Sequence, residues 1–361
     1  MKLLVARVRF SLLCAVVLGS VFAFGCNIVK KEKKTAVLLR AEAADQGQLI
    51  AEVDRFARVD SMKAKVDLKF EDNSFAEFGS KEAYRDAPGE IVVQRPSKIL
   101  MKVSLPIVGS DIAQMTSDGE TFRVAILNDG GSGKYKKFVK GTNKADYSRL
   151  QKTLNTAADG NSGAKVVKEN VNAFANLRPQ HFTDAMLVRP VDDAHLYTQS
   201  TIYQVEEDTT ADSKSPTRMV NRPYYLLDEF ERGVGNTLKI SRRFWFDRVG
   251  VIRLARQQIF DEKGEIESDI VYGMEGSLTD TGNFARLPLQ IQVTRPKEHY
   301  SMRLTYQSPE AVTIGKKYPD TAFVLENTWK LDEVDLDQKL REAIINPAVL
   351  LNSNTANHNK Q

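Results

Sequence analysis

Between Asp45 and Ser61 the apolar residues Leu49, Ile50, Val53, Phe56 and Ala57 fall on one face of a helix. That spacing predicts an amphipathic helix packed on a larger body. The stretch KAKVDLKFED changes the period, with Ala64, Val66, Leu68 and Phe70 alternating with charged residues. A strand with one dry and one wet face reads this way. The alternation returns at Ile91 and Val93, at Ile99, Met101, Val103 and Leu105, and at Phe122, Val124 and Ile126. RDAPGE and TSDGE supply turn residues between these runs, so the pattern predicts an antiparallel meander.

A central stretch from Lys168 has helical spacing broken at Pro179, which predicts two short helices. Strands resume near Leu196, and DRVG and DEKG separate three extended runs in TLKISRRFWFDRVGVIRLARQQIFDEKGEIESDIVYG. Leu287, Leu289, Ile291 and Val293, then Tyr300, Met302, Leu304 and Tyr306, make the last clear pair. The expectation is a mainly β, α+β chain: a curved, incomplete antiparallel β-barrel of about eleven strands with helices over its open mouth. Residues 45–328 form that domain, with a helical insertion near 168–190, and residues 329–361 add a short helix and a polar tail.

The N-terminus alters the reading of charge. Lys2, Arg7 and Arg9 precede an apolar run from Phe10 to Phe24, a secretory signal pattern shorter than a spanning helix. Ala23 and Gly25 stand three and one residues before Cys26, as in a bacterial lipobox, so Cys26 is the expected lipidation site and residues 26–44 the tether. Ordinary secretory cleavage is the alternative. Without the three basic leader residues the net charge of +4 falls to +1, which removes any basic signature for nucleic acid. Cys14 lies within the leader and Cys26 has no mature partner, so no disulfide framework is expected. Lys30, Lys31, Lys33 and Lys34 then follow the anchor, as a headgroup contact or a solvated tether.

Several stretches imitate catalytic or metal motifs. NDGGSGKYK has Asn128 where a phosphate loop needs its first glycine and Tyr135 where it needs Ser or Thr, so a hairpin loop is expected. His181, Asp184, Asp192, Asp193 and His195 cluster without a recurrent metal-ligand spacing. GNSGA ends in alanine where a nucleophile elbow has glycine. No enzyme activity, cofactor or metal is expected.

LIAEVDRFARVDSMKAKVDLKF, YRDAPGEIVVQRPSKILMKVSLP running into SDGETFRVAIL, FWFDRVGVIRLARQQIFDEKGEI and LPLQIQVTRPKEHYSMRLTYQSPEAVTI resemble the LolA/LolB lipoprotein-carrier superfamily from Asp45 to Asn327. The chain is longer than a typical carrier, with additional residues around 141–220. The resemblance implies an acyl-binding concavity under a helical lid. Val66, Leu68, Phe70, Ile91, Val93, Met101, Val103, Leu289, Ile291, Met302 and Leu304 are its candidate lining. An ordinary dry core is the alternative for the same residues. Arg242 and Arg256 fall on apolar strand faces by alternation and are candidates for a lid or head-group contact, unless bulges turn them to solvent. The implied role is an exported, lipid-anchored envelope protein, on the outer membrane facing the periplasm, whose ligand is a lipid acyl chain or lipoprotein. A sensor or assembly factor acting on an envelope protein partner is the second reading.

Overall fold

The computed structural model describes residues 36–72, 82–104, 111–128, 136–147, 179–208, 211–212, 215 and 218–345. Cys26, Leu105, the stretch 129–135, GNSGA, the first central helix and the polar tail lie outside them.

In chain order the elements are β1 (Val37–Leu38), α1 (Gln46–Ala57), β2 (Ser61–Asp72), β3 (Glu82–Gln94), β4 (Lys98–Ser104), β5 (Asp111–Ser117), β6 (Thr121–Ile126) and β7 (Phe138–Thr142). There follow α2 (Gln180–Met186), β8 (Leu196–Glu207), β9 (Met219–Arg232), β10 (Leu238–Asp247), β11 (Arg253–Phe260), β12 (Ile266–Leu278), β13 (Phe284–Arg295), β14 (Tyr300–Tyr306), β15 (Thr313–Ile314), β16 (Glu333–Asp335) and α3 (Leu336–Ile345).

The chain divides into two compact units, a smaller one of Met1–Leu38 with Val205–Asn221 and a larger one of Leu39–Gln204 with Arg222–Gln361. In the smaller unit, Val37 and Leu38 pair in parallel with Val220 and Asn221, and the Asp208 amide donates to the Arg218 carbonyl.

The larger unit is built on one curved, unclosed sheet in the order β9-β10-β11-β12-β13-β14-β2-β3-β4-β5-β6-β7-β16. The meander expected from alternation is present. The described residues hold sixteen strands, more than the eleven expected. Several additions are too short or too polar to leave a period, including β1, β15 and β16. Pairing is mixed, since β16 runs parallel to β7.

One turn assignment is corrected. RDAPGE lies inside β3, where Pro88 pairs in register with Asp67 and a register shift opposite Leu68–Phe70 falls at Arg85 and Asp86 beside it. The turn comes after Gln94 instead, and Asp118–Glu120 makes the expected turn before β6.

Alternation puts matching side chains in rows across the sheet. Ala64, Ile91, Met101, Met115, Val124 and Val139 are successive cross-strand partners, and all are buried. A second row runs Leu227, Phe244, Gln257, Ile270, Val293, Met302, Phe70. Helix α1 starts at a capping box, in which the Gln48 amide donates to Asp45 Oδ1 and the Asp45 amide to Gln48 Oε1. Its Leu49, Val53 and Phe56 join the core that these rows form.

A strap formed by residues 309–335 also belongs to this unit. It pairs with β2 through β15, donates the Leu325 amide to Thr116 Oγ1, and joins β7 through β16. Thr116 lies on the face of the sheet opposite Met115, so the strap runs over the face away from the helices.

Candidate functional site

The eleven expected lining residues are brought together in one apolar cluster. Val66, Leu68, Phe70, Ile91, Val93, Met101, Ile291, Met302 and Leu304 are buried there, and Val103 and Leu289 pack against it half-buried. Direct cross-strand pairs Phe70–Met302, Leu68–Leu304, Ile291–Leu304 and Ile91–Met101 fix their common face.

Helix side chains fill the concave side of this face. Leu49, Val53 and Phe56 come from α1, while Phe182, Ala185, Met186, Leu187 and Val188 come from α2 and its exit. Seven residues are too few for α2 to be stable alone, so its structure depends on tertiary contacts with β13, β4 and β3.

Those contacts include a set of hydrogen bonds to the carbonyls that a helix end leaves free. Arg95, at the end of β3, donates from Nη2 to Ala57 O at 2.9 Å and Val188 O at 2.8 Å, from Nε to Val59 O at 3.1 Å, and from Nη1 to Leu187 O at 3.4 Å. One guanidinium thereby fastens the ends of both helices. Burial holds its pKa below the usual arginine value. Tyr272 Oη donates to Ala185 O at 3.1 Å.

Arg242 fastens the segment just beyond. Its Nη1 donates to Arg189 O at 2.8 Å and its Nη2 to Pro190 O at 3.3 Å. Its Nε donates to Glu229 Oε1 at 2.8 Å, and its Nη2 also bonds Glu229 Oε2. Glu229 is 0 % exposed and accepts from Arg189 Nη2, Ser241 Oγ and Tyr197 Oη as well. Burial alone would raise its pKa, but the hydrogen bonds and charge of Arg242, helped by Ser241 and Arg189, bring it down to about 2.

Two bulges decide what the arginines do. The register shifts between Ile240 and Arg242, so Leu238 lies exposed while Arg242 stays with the buried Phe244 and Phe246. The shift at Trp245/Phe246 leaves Ala255 between Leu254 and Arg256, which places those two on opposite faces. Arg256 therefore pairs with both oxygens of Asp269 and lies 5.0 Å over the Trp245 ring. Its partners are on the face opposite Leu254, contrary to the face assigned to it by simple alternation.

The histidines and acids of the central stretch do not converge. His181 meets Tyr300 Oη, Asp184 accepts from Gln180, and His195 pairs with Asp192 at 2.5 Å. No group able to hold a metal ion occurs among the described residues. Strands β6 and β7, which flank NDGGSGKYK in the sequence, pair antiparallel, and the hairpin loop expected there falls on 129–135, outside the described residues. Arg95 and Glu229 were not singled out from the sequence. Arg95 precedes Pro96 outside any strand period, and Glu229 sits in a strand where alternation marks a face but names no partner.

No family model matches the chain, and no curated relative matches it. Solved structures do. A LolA superfamily protein, NE2245 from Nitrosomonas europaea, is similar at 10% identity and a TM-score of 0.37, over 78% of this chain and 99% of that one. A DUF1329 family protein from Desulfovibrio piger gives 11% identity and a TM-score of 0.35, over 77% and 95%. A domain assigned to outer membrane lipoprotein sorting, from Vibrio parahaemolyticus, gives 10% and 0.36, over 76% and 94%. Overlap this loose assigns neither an activity nor a ligand.

Proposed function

We propose that this is an exported envelope lipoprotein, anchored through Cys26, that binds an acyl chain on the concave face of its sheet without catalysing a reaction. The observation that carries the reading is the way the apolar face is covered. A helix too short to be stable alone is fastened over it at carbonyl oxygens by Arg95, Arg242 and Tyr272. Such a cover can lift without breaking the sheet. An acyl chain gains about 0.8 kcal/mol for each CH₂ it buries, so a chain of ordinary length can replace the helix contacts. No described helix is long and apolar enough to cross a membrane, and attachment is assigned to the cysteine. The outer membrane is its proposed site, and lipid or lipoprotein its cargo.

The filled core favours a second reading, in which the helices stay closed and the protein acts through contacts with an envelope partner. Native purification, organic extraction and mass spectrometry separate the two. Co-purifying acyl species, lost in a variant with a bulky polar residue at Ile291 whose unfolding midpoint is unchanged, support the first reading. A ligand-free protein that also fails to bind a fluorescent acyl probe after delipidation supports the second. Cys26→Ser should release the protein from membranes, and unchanged partition with unchanged processing would remove the anchor from the proposal.

A further inference from the structure

The concave face is not apolar throughout. Glu229, Arg242, Ile259 and Ser268 are successive cross-strand partners, and Arg295 continues this band by donating to Ser268 Oγ at 2.7 Å. In the adjoining row, Gln257 lies between Phe244 and Ile270, both of them fully buried. Gln257 itself is 2 % exposed, and its Oε1 has no hydrogen-bond partner. Arg295 Nε is likewise buried without one. A buried amide oxygen and a buried guanidinium N–H, both unsatisfied, are uncommon enough to need an explanation.

We infer that Gln257 and Arg295 form a head-group subsite, which takes the neutral amide joining an acyl chain to the rest of its ligand. This rests on the acyl-binding reading above and adds the ligand's orientation and linkage. The tail lies along the row of Tyr272, Ile291, Leu304 and Leu68, and the linkage lies at the polar band. An amide supplies both missing partners, an N–H for Gln257 Oε1 and a carbonyl for Arg295 Nε. A carboxylate head is the poorer fit. Arg242 already faces Glu229, and Arg295 faces Glu267 at 3.2 Å and Glu298 at 2.7 Å, so both cations are neutralised before a ligand arrives.

The test is displacement of a fluorescent acyl probe from the delipidated full-length protein by three competitors of equal chain length: N-palmitoylglycinamide, methyl palmitate and palmitate. The amide should displace the probe about tenfold better than the ester, which has no N–H to donate, the worth of one recovered buried hydrogen bond. Gln257→Leu and the near-isosteric Gln257→Met should erase that difference while leaving the unfolding midpoint unchanged or higher, since each removes an unsatisfied polar atom. Gln258→Leu is the control, because its Oε1 accepts from Trp245 Nε1 on the opposite face and its loss should leave the preference intact. Equal affinity for amide and ester in the wild type, or a preference that survives both Gln257 variants, overturns the subsite and leaves acyl binding standing. Failure of the wild type to bind any acyl probe overturns both.

Discussion

Arg95 shows how much a single side chain can organise when its donors point at helix ends. Four carbonyls at or just beyond the C-terminal ends of two helices accept from it, so its loss should be felt in both at once. Arg95→Leu is expected to lower stability by about 2–3 kcal/mol, the range for hydrogen bonds from a charged group, and to speed hydrogen exchange across 180–188 more than across β2 or β3. Uniform acceleration would mean that Arg95 supports the whole fold and not the cover. The charged groups at α2 also set a pH dependence. Glu229 has its pKa lowered from 4.5 to about 2, so the stability it contributes is present above 4.5 and lost as pH falls through about 2. Asp184 on α2 is raised from 3.8 to about 6, by burial against the opposing pull of Gln180 and Arg295, so its contribution is full below 3.8 and lost as pH rises through about 6. The rising limb of Glu229 and the falling limb of Asp184 cross at about pH 4. Thermal unfolding should therefore be most resistant between about pH 3.8 and 4.5, and less so as pH rises to about 6. Asp184→Asn should flatten the falling limb between about pH 4 and 6 alone, and a limb unchanged in that variant would remove Asp184 as its source.

Among the elements, alternation identified the long strands because a half-buried strand must repeat every two residues. It failed at bulges, where one inserted residue reverses all that follows. Ser241 returns Arg242 to the buried face, and Ala255 turns Arg256 away from it. Nothing in the local composition distinguishes those two sites, so one arginine was placed correctly by parity and the other was not. The apolar lining was legible for the opposite reason, since parity holds along its strands: Val66, Leu68 and Phe70 run unbroken against β14 even where β3 shifts opposite them. What covers that lining was less legible, because α2 is short and draws its order from the sheet. Close packing between elements gives a further expectation at Gly141 in β7. A Cβ there would stand 2.6 Å from Tyr147 Oη and 2.9 Å from the Phe122 ring. Tyr147 is buried and bonded to Asp337 of α3, so it cannot withdraw freely. Gly141→Ala should cost about 1–3 kcal/mol by overpacking, read as a lower denaturant midpoint at unchanged slope. An unaffected midpoint would show that the tyrosine and α3 shift together.

At the scale of the larger unit, the latches join residues far apart in the chain. Arg95 reaches Val188 across 93 positions, and Arg242 reaches back 53 to Arg189. Each guanidinium is delivered by a strand that must already be paired, since Arg95 directly follows β3 and Arg242 lies within β10. The cover can be fastened only after both regions of the sheet exist, and closing long loops before they are rewarded is slow. Leucine at Arg95 or at Arg242 should therefore leave the refolding rate nearly unchanged and raise the unfolding rate, with most of the lost stability on the unfolding arm of the chevron. A matching fall in the refolding rate would place the latches in the folding nucleus instead. The consequence reaches past stability. If fastening comes last, a newly made chain passes through a state in which the sheet is built and its apolar face still bare. A first ligand could then be taken up during maturation, before any closed protein has to be reopened.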